Sequence, residues 1–396
     1  MADTHIGAVQ YGLAEREQDV YDAFSDAVSH ILKEHVKLVL ISGDIIDRPR
    51  LSGKPLRVLY RELKKLHDKG IDVVAILGEH DFKRIRGEEP IPYLFADQGL
   101  MKIIGIGEVL AYRKNVDGLN LLISGLSKHR KTEIKHMLIS FTKLEKMIKE
   151  INPDRSILML HQGLKEVNPY AGEISIDQLP RGFNYYAMGH YHVSNSDLRI
   201  DEVPIVYPGS LEVIRVDELT TPSYLGPYKC YTSEKGFYIV DISPKEPIIH
   251  KVRIDIRPQF KLEVSLEPIQ LRPILTRIAE SLSKFSKKPV LHIVFKGSEL
   301  SVKNIESLLS LLIGPHVLTC RWSVEEVTES MKKKPTEHSF DLDTELYNLV
   351  RKEMKDDKLA QLVLEILDIV RSDTSEQHKI LQLTKLIDRK LIGETR

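Results

Sequence analysis

The sequence predicts an α/β protein, because short apolar runs alternate with longer stretches in which apolar residues recur at helical spacing. Runs of about four to eight apolar residues indicate buried strands, and the longer stretches indicate helices packed on the sheets. The predicted strands are Lys37–Ser42, Asp72–Leu77, Leu119–Ser124, Ser156–Leu160 and Tyr185–Met188; the predicted helices are Glu17–Glu34, Leu56–Asp68 and Lys135–Ile151. From Val203 to Ile254 short strands are separated by proline and glycine. This alternation is typical of a layered architecture that buries sheets under helices.

Composition excludes several classes of protein. The 396 residues, 42% of them hydrophobic, suffice for two or three domains with real cores. No apolar run approaches the roughly 18 residues of a membrane span, so no membrane association is expected. Cys230 and Cys320 lie far apart and provide no disulfide framework or zinc finger, which indicates a reducing compartment, the cytoplasm. Basic and acidic residues balance at 57 each, which excludes global attraction to nucleic acid but permits a local basic rim.

The chain is predicted to contain three folded parts. Residues 1–255 form the first domain, 256–328 a small second domain, 329–343 an exposed linker and 344–396 a helical module. In the second domain Leu271–Lys284 and Val302–Leu312 are predicted helices, and Pro289–Phe295 and His316–Trp322 are predicted strands. The helical module carries two apolar stripes, Leu359, Leu362, Val363, Ile366 and Val370, and Ile380, Leu383, Leu386, Ile387 and Leu391. Either these stripes dock on the chain itself, or they bind a partner from a flexible tether.

Metal-ligating residue types follow the predicted strands. Five segments carry them: Asp3 with His5, Asp44, Glu79-His80-Asp81, His161, and His190 with His192. Taken singly, an Asp-x-His is more often a surface turn and a buried histidine more often a core residue. All five in this order, each at a strand end, are hard to obtain by accident. Because ligand sites in α/β sheets lie beyond the carboxyl ends of strands, we expect these side chains to meet there.

The residue types indicate a pair of divalent ions. Two ions roughly 3.5–4 Å apart need an anionic bridge, and the Asp44 carboxylate offers one oxygen to each. Mixed imidazole and carboxylate ligands suit Mn²⁺, Fe²⁺ or Zn²⁺ better than Mg²⁺, which prefers oxygen ligands and retained water. We therefore expect two ions per chain, Mn²⁺ foremost.

These motifs resemble those of the calcineurin-like metallophosphoesterases. Within that superfamily the layout is similar to the SbcD-type DNA repair nucleases, the nuclease subunit of the MRN-type complex. Supporting details are His161-Gln162-Gly163, Pro208-Gly209-Ser210 and the overall length; the motifs span Asp3 to Ser210. The resemblance implies a four-layer α/β/β/α metallophosphoesterase core with a small α/β capping domain and a C-terminal helical module.

The resemblance also implies a role for each motif residue. Asp3, His5, Asp44 and His192 would hold one ion, and Asp44, Glu79, His161 and His190 the other. His80 would act on the leaving oxygen as a general acid. The implied activity is exonuclease and single-strand endonuclease cleavage in DNA double-strand-break repair. Its implied partners are DNA ends, single-stranded DNA, a second copy of the chain in a homodimer, and an ABC-type ATPase with a long coiled coil. With DNA as a partner, we expect the cytoplasmic protein to be associated with the nucleoid.

Three positions depart from the family pattern. Glu79 stands where the family usually has an asparagine, which adds a negative charge to the ligand set. Asp47 stands where the repair nucleases usually have a histidine, so that residue's role in positioning substrate is not carried over; a loop acid or helix cap is the favoured interpretation. The Asp-x-His motif normally follows a strand, whereas only Met1 and Ala2 precede Asp3, so we expect the natural product to begin upstream.

Basic residues follow two of the ligand loops. Arg48, Arg50 and Lys54 follow Asp44, Lys83 and Arg84 follow His80, and Lys128–Lys131 form a third cluster. On the rim of the site they would bind the DNA backbone without reading sequence, although ordinary solvated charge explains any one cluster equally well. The ATPase would be held by Leu359, Leu362, Val363, Ile366, Leu383, Leu386 and Ile387.

Two alternatives to the nuclease remain open. One is a phosphodiesterase for a non-DNA substrate on the same fold, against which the additional C-terminal residues speak. The other is a non-catalytic scaffold that binds DNA ends and the ATPase, with a metal centre altered by Glu79 and Asp47.

Overall fold

The computed structural model describes residues 1–82, 89–107, 110–265, 270–297 and 301–326, together with Ile366 and Leu386. The chain divides into two compact units, Met1–Val327 and Thr328–Arg396. In the second unit Ile366 and Leu386 both have helical backbone, and Leu386 is buried. The predicted linker and the rest of the helical module lie outside the described residues. Within the described segments no helix is both long and apolar enough to cross a membrane.

The first part of the chain forms a parallel sheet covered by helices. In chain order its elements are α1 (Ala14–Lys33), β1 (Leu38–Ser42), α2 (Gly53–Asp68), β2 (Asp72–Ile76), α3 (Pro92–Asp97) and β3 (Lys102–Ile103). The strand order is β1-β2-β3, and Leu38 pairs with Asp72 at the start of the parallel register. Parallel pairing requires a crossover between strands, and α2 provides it between β1 and β2.

A six-stranded mixed sheet follows. Its elements are β4 (Ala111–Val116), β5 (Leu119–Leu126), α4 (Ile134–Ile151), β6 (Arg155–His161), β7 (Tyr185–Gly189), β8 (Asn195–Ile200) and β9 (Val203–Tyr207). The strand order is β4-β5-β6-β7-β9-β8, with β5, β6, β7 and β9 parallel. The two central strands β6 and β7 are almost wholly buried, as expected for strands covered on both faces.

The remaining described elements form a hairpin and the capping sheet. They are β10 (Thr221–Leu225), β11 (Tyr228–Thr232), β12 (Gly236–Asp241), β13 (Ile248–Arg253), β14 (Gln259–Ser265), α5 (Leu271–Leu282), β15 (Val290–Gly297), α6 (Val302–Leu308) and β16 (Thr319–Glu326). Strands β12 and β13 pair only with each other among the described residues, and the capping sheet has the order β10-β11-β14-β15-β16.

The cores confirm the four-layer fold class. One core packs α1 and α2 against the outer face of the first sheet, through residues such as Phe24 and Leu63. A second core lies between the sheets and contains Val74 and Ile123. A third packs α4 on the far face of the second sheet, where Phe141 is buried. The order of layers is therefore helix, sheet, sheet, helix.

Two details of the capping part differ from the sequence-based expectation. Strands β10 and β11, which precede residue 256, pair into the capping sheet because their apolar residues Leu225 and Cys230 complete its core. The predicted helix Val302–Leu312 is α-helical only to Leu308 and continues as a π-turn, Leu309–Ile313, and a 3-10 turn, Gly314–His316. Pro315 lies in the first residues of this 3-10 turn and has no amide hydrogen, so a regular α-helix could not continue through the turn.

Candidate metal centre

The predicted ligands lie where strands of both sheets end. Asp44 follows β1 and Glu79 follows β2, while His161 is the last residue of β6 and His190 follows β7. The first residues of the chain run beside β1, with Ser42 N donating to Met1 O and Asp3 N to Gly43 O. The two sheets therefore direct their carboxyl ends toward one place, and all seven predicted ligands occur in groups of side chains that could hold a metal ion.

The backbone at the ligands is strained. Asp3, His5, Asp44 and His190 have positive φ angles of 51°, 42°, 49° and 97°. Non-glycine residues in sparsely populated conformations cost on the order of 1–3 kcal/mol each and concentrate at functional sites. The surrounding contacts hold these conformations; His5 N, for example, donates to Asp44 O. The strain at these four residues therefore lowers the stability of the fold, and it accompanies the arrangement that brings their side chains together.

Two glycines make room for the ligands. At Gly43, where φ is +88°, a Cβ atom would collide with the His161 ring, and at Gly78 it would collide with the Asp44 carboxylate. The two glycines serve different purposes, since only Gly43 needs the left-handed conformation, whereas Gly78 is required for the close approach of Asp44.

Asp81 fastens two ligand loops together. Its buried carboxylate accepts hydrogen bonds from Ile45 N, Ile46 N and Gly78 N at 3.2, 3.0 and 2.9 Å. Burial raises the pKa of Asp81 to about 7, against the effect of these three donors. Asp81 therefore belongs to the frame that holds Asp44 and Glu79, and it is not one of the metal-facing groups.

The first group of ligands surrounds the Asp3 carboxylate. His5 Nε2 and His192 Nε2 are 3.0 Å apart, and His192 Nε2 lies 3.9 Å from Asp3 Oδ1. His5 Nε2 also lies 3.9 Å from Asp44 Oδ2. Ligand atoms about 2.1 Å from one ion and at right angles to each other lie about 3.0 Å apart. The spacing of the two imidazoles therefore fits a shared cation.

The second group surrounds Glu79. Its two carboxylate oxygens lie 2.9 Å from His161 Nε2 and 2.8 Å from His190 Nδ1. His161 Nε2 is 3.4 Å from Asp44 Oδ2, the same oxygen that faces His5. Asp44 thus reaches both groups, as a bridging carboxylate must.

A buried histidine nitrogen without a hydrogen bond indicates that these groups fit metal ions. His161 Nε2 is fully buried and, among the described residues, makes no hydrogen bond despite its close contact with Glu79. The Asp3 carboxylate is also fully buried and accepts hydrogen bonds from His190 N. Buried polar groups are normally paired, so the unpaired His161 Nε2, which faces the Asp44 and Glu79 carboxylates, fits a metal ion between them. Nitrogen and carboxylate donors in this arrangement suit a transition metal.

Charge also favours cation binding. Burial raises the pKa of Asp3 to about 6 and lowers that of His5 to about 3, which keeps the His5 ring neutral as a ligand must be. Burial opposes ionisation of Asp44, but the His161 imidazole prevails and lowers its pKa to about 2. The pKa of His161 is raised well above its ordinary value, because Asp44 and Glu79 outweigh the effect of burial. A divalent ion would displace this proton and take its place between the carboxylates.

The candidate ligand histidines have partners on the sides that face away from the ligand groups. His161 Nδ1 donates to Ser42 O and His192 Nδ1 donates to Glu218 Oε1, both at 2.7 Å. His190 Nε2 faces Glu173 Oε1 at 4.0 Å. Such partners fix the tautomer and the orientation of a metal-bound imidazole. Glu218 is itself held by Lys235 Nζ at 2.5 Å, which lowers the pKa of Glu218 to about 2 although burial opposes it.

His80 lies at the edge of the ligand cluster and is exposed. Its ring meets the His5 ring edge-on with centroids 4.8 Å apart, and its backbone N donates to Asp44 Oδ1 at 2.8 Å. His80 Nδ1 donates to Asp47 O at 2.6 Å, which leaves Nε2 free of hydrogen bonds to the described residues. The ring is therefore oriented, accessible and adjacent to the ligands.

Comparisons with known proteins agree with this geometry. The family model for the calcineurin-like phosphoesterases matches residues 1–194. Curated relatives named "DNA double-strand break repair protein Mre11" match most of the chain. The protein of Saccharolobus solfataricus is 30% identical over 97% of both chains, and that of Sulfurisphaera tokodaii is 32% identical over 88% of this chain and 86% of its own. The chain belongs to the Mre11 family. It is a metal-dependent DNA phosphodiesterase of double-strand-break repair, which confirms the expected enzyme class.

A third member of the Mre11 family, from Methanocaldococcus jannaschii, is 33% identical over 73% of this chain and 74% of its own. The relatives from S. solfataricus and S. tokodaii extend the similarity beyond the phosphoesterase motifs into the capping part. Family membership thus rests on the layout of the whole chain as well as on the ligands.

The basic residues predicted for the Mre11 DNA rim have mixed surroundings. The Arg48 side chain is 54% exposed and lies 3.5 Å from the Asp47 carboxylate. Lys54 Nζ contacts Glu17 Oε2 at 3.3 Å and lies over the Tyr21 ring. Lys128 is largely buried and is paired with Glu173 at 2.6 Å, so it stabilises the site from within. Arg50 has an interaction partner and is not a free surface charge. Lys83 and Arg84 lie outside the described residues.

Sequence reasoning missed the residues that support the ligands. Glu218 lies in a short 3-10 turn, Val216–Glu218, and Glu173 and Lys235 lie in loops. Neither periodicity nor strand-end position distinguishes such residues from ordinary surface charge. Of the partner-binding residues predicted for this Mre11 family member, Ile366 and Leu386 are described as helical; Leu359, Leu362, Val363, Leu383 and Ile387 lie outside the described residues.

Proposed function

We propose that this chain is a two-metal nuclease of the Mn²⁺ type that acts on DNA ends as an exonuclease and on single strands as an endonuclease. The observation that carries the proposal is the Asp44 carboxylate, which faces histidines of both ligand groups. One ion is assigned to Asp3, His5, Asp44 and His192, the other to Asp44, Glu79, His161 and His190. A ligand set of imidazoles and carboxylates favours Mn²⁺ over Mg²⁺, because Mg²⁺ prefers ligand sets made only of oxygen atoms.

The chain's own residues supply orientation and a proton. When bound, the metal pair provides an activated water and neutralises phosphate charge. Ser42 O and Glu218 keep the Nε2 atoms of His161 and His192 directed at the site. The hydrogen bond from His80 Nδ1 to Asp47 O presents His80 Nε2 to the substrate. In its protonated form His80 passes a proton to the leaving oxygen as the P–O bond breaks.

The test is cleavage of two DNA substrates with Mn²⁺, namely a 3′-labelled blunt duplex and a circular single strand. We expect both to be cut, and EDTA to abolish both reactions. If neither is cut even with the ATPase partner and ATP added, and fewer than two ions are bound per chain, the protein is a scaffold. Release of nitrophenol from bis-p-nitrophenyl phosphate without DNA cleavage would indicate a different phosphodiester substrate.

We assign backbone contacts with DNA to Arg48, Arg50, Lys54, Lys83 and Arg84. In support, Arg48 is exposed in the loop that follows Asp44, and it directly follows Asp47, whose carbonyl oxygen holds the His80 ring. Contacts to phosphate supply affinity without sequence specificity and weaken steeply with salt. Substitution of Arg48 by alanine should therefore reduce the salt dependence of DNA binding; an unchanged dependence would remove Arg48 from the rim.

Glu79 is assigned as a working ligand despite the asparagine usual at its position. Both its carboxylate oxygens lie within 2.9 Å of ligand histidines. The negative charge should strengthen cation binding, so we expect Glu79→Asn to lower Mn²⁺ affinity on the order of tenfold. Titration calorimetry measures this, with the exposed Glu34→Gln as the matched control. Equal or tighter binding by Glu79→Asn would mean that the glutamate opposes the metal.

The ATPase partner is assigned to residues 344–396, and the homodimer to the phosphoesterase domain. The helical backbone at Ile366 and Leu386 supports the first assignment, because an amphipathic helix can lie in a partner's groove. For the homodimer, light scattering at a monomer mass would contradict the assignment.

Deleting residues 340–396 should abolish binding to the coiled-coil ATPase and leave the nuclease folded. The first compact unit ends at Val327, before the deleted segment begins. Co-purification measures binding, and the far-ultraviolet circular dichroism melt measures folding. As a matched control, Leu362→Glu in the full chain should weaken the same interaction without truncation. Undiminished co-purification of the truncated chain would disprove the assignment.

A further inference from the structure

The outer side of the His5 ring is the feature from which this inference starts. His5 Nε2 faces His192 and Asp44, whereas Nδ1 points away from the ligand cluster. His5 Nδ1 is buried and has no hydrogen-bond partner among the described residues. Leaving a buried N–H unpaired costs about 1–3 kcal/mol, so the absence of a bond at a strained, fully buried ligand needs an explanation.

The Asp47 carboxylate lies beside this atom. Asp47 Oδ1 is 3.8 Å from His5 Nδ1, too long for a hydrogen bond but within reach of a small side-chain rotation. The other oxygen, Oδ2, lies 3.5 Å from Arg48 Nε, which leaves Oδ1 for His5. Asp47 is not a helix cap, since α2 begins at Gly53 and its cap position is Ser52. It is an acid in the ligand loop.

The Asp47 backbone forms hydrogen bonds with Ile6, which follows His5, and with His80. Asp47 N donates to Ile6 O at 3.1 Å, directly after His5, and Ile46 bridges to Ile6. Asp47 O accepts the hydrogen bond from His80 Nδ1 at 2.6 Å. Asp47 therefore lies next to the Nδ1 atoms of two histidines. Its side chain faces Nδ1 of His5, a candidate ligand. Its backbone carbonyl accepts a hydrogen bond from Nδ1 of His80, the proposed general acid.

We propose that Asp47 is a positioning residue that orients His5 through its carboxylate and His80 through its carbonyl. This inference rests on the proposed function, because it takes His5 to be a metal ligand. It gives His5 the kind of partner that Glu218 gives His192. With the Nδ1 proton held by Asp47, the His5 Nε2 lone pair is directed at the ion. A carboxylate in this place also raises the basicity of the bound imidazole.

The decisive variant is Asp47→Ala, which removes the carboxylate and keeps the carbonyl. We expect the Mn²⁺ affinity of one of the two ions to fall about 10–100-fold. We also expect kcat for DNA cleavage to fall while KM is maintained, because Asp47 acts through His5 and not on DNA. Asp47→Asn keeps an acceptor oxygen and should restore most of the affinity. Asp68→Ala, at an exposed aspartate of α2, is the matched control.

Nitrogen-15 NMR of the histidine rings in the metal-free protein, where no ion fixes the tautomer, tests the inference without any measurement of activity. In the wild type both His5 and His80 should carry the proton on Nδ1. In Asp47→Ala the His5 tautomer should become mixed, whereas the His80 tautomer should persist because its acceptor is a backbone carbonyl. The His80 signal thus also reports whether the variant is folded.

Two results would overturn the inference. One is an Asp47→Ala protein with unchanged His5 tautomer and unchanged ion affinity; the other is a rise in KM alone, which would make Asp47 a DNA contact. Failure of the proposed function is distinguishable, since wild-type protein would then bind both ions and cleave no DNA.

Discussion

His80→Ala is expected to lower DNA cleavage by about 10²–10⁴-fold, the contribution of a positioned general acid. The substitution keeps the backbone N–H that donates to Asp44 Oδ1. It removes the ring whose Nδ1 is held by Asp47 O. Metal binding should therefore be preserved while proton transfer to the leaving oxygen is lost. The measurement is the initial rate of Mn²⁺-dependent cleavage of the labelled duplex, with His67→Ala, at an exposed histidine of α2, as the control.

The leaving group separates this role from a structural one. Nitrophenolate leaves without protonation, so cleavage of bis-p-nitrophenyl phosphate by His80→Ala should fall much less than cleavage of DNA. His80 also lies in a group with His5 and Asp44 that could hold an ion. If His80→Ala loses an ion, and both substrates are affected equally, then His80 is a ligand and the assignment as an acid is wrong.

Much of the fold follows from local sequence patterns. The predicted strand Asp72–Leu77 and the observed β2, Asp72–Ile76, differ by one residue, and the predicted helix Lys135–Ile151 differs from α4 only at its first residue. Buried strands and amphipathic helices leave a periodic signal, which explains the agreement. The place of β10 and β11 in the capping sheet leaves no such signal, because strand pairing depends on contacts distant in sequence.

The convergence of the candidate ligands was predictable to a similar degree. Residue types at strand ends, with the Asp-x-His motif near residue 3, indicated seven side chains, and all seven lie in groups that could hold a metal ion. Their supporting residues were not predictable. Glu218 accepts a hydrogen bond from His192, which is 26 positions away in the sequence. Lys128 was predicted to belong to a basic surface cluster, but it forms an ion pair with Glu173. Such partners depend on how loops fold over the sheet edges. The ligands therefore remain a prediction drawn from pattern and geometry together.

A buried cluster of charged residues connects the phosphoesterase part with the capping part. Arg16, which is fully buried, donates to Asp19 Oδ2 at 2.6 Å and to Glu212 Oε1 at 3.0 Å. Arg257, just before β14, donates to both oxygens of Asp19 at 2.6 and 3.0 Å. Two guanidinium groups and two carboxylates thus balance each other in the interior. Arg257 also donates to Lys288 O, beside β15 of the capping sheet.

Asp19→Ala is expected to destabilise the fold by about 3–5 kcal/mol, because it leaves two buried guanidinium groups with one carboxylate between them. For a unit of this size the melting temperature should fall by roughly 4–7 °C. Differential scanning calorimetry measures the change. The exposed pair Arg215–Asp217 provides the matched control, since Asp217→Ala should cost at most about 1 kcal/mol.

The double variant Asp19→Ala/Arg257→Ala should be less destabilised than the sum of its single variants, because removing Arg257 relieves one unpaired charge. Strict additivity would show that the two residues do not share a cluster, and that the capping part is held by its apolar contacts alone.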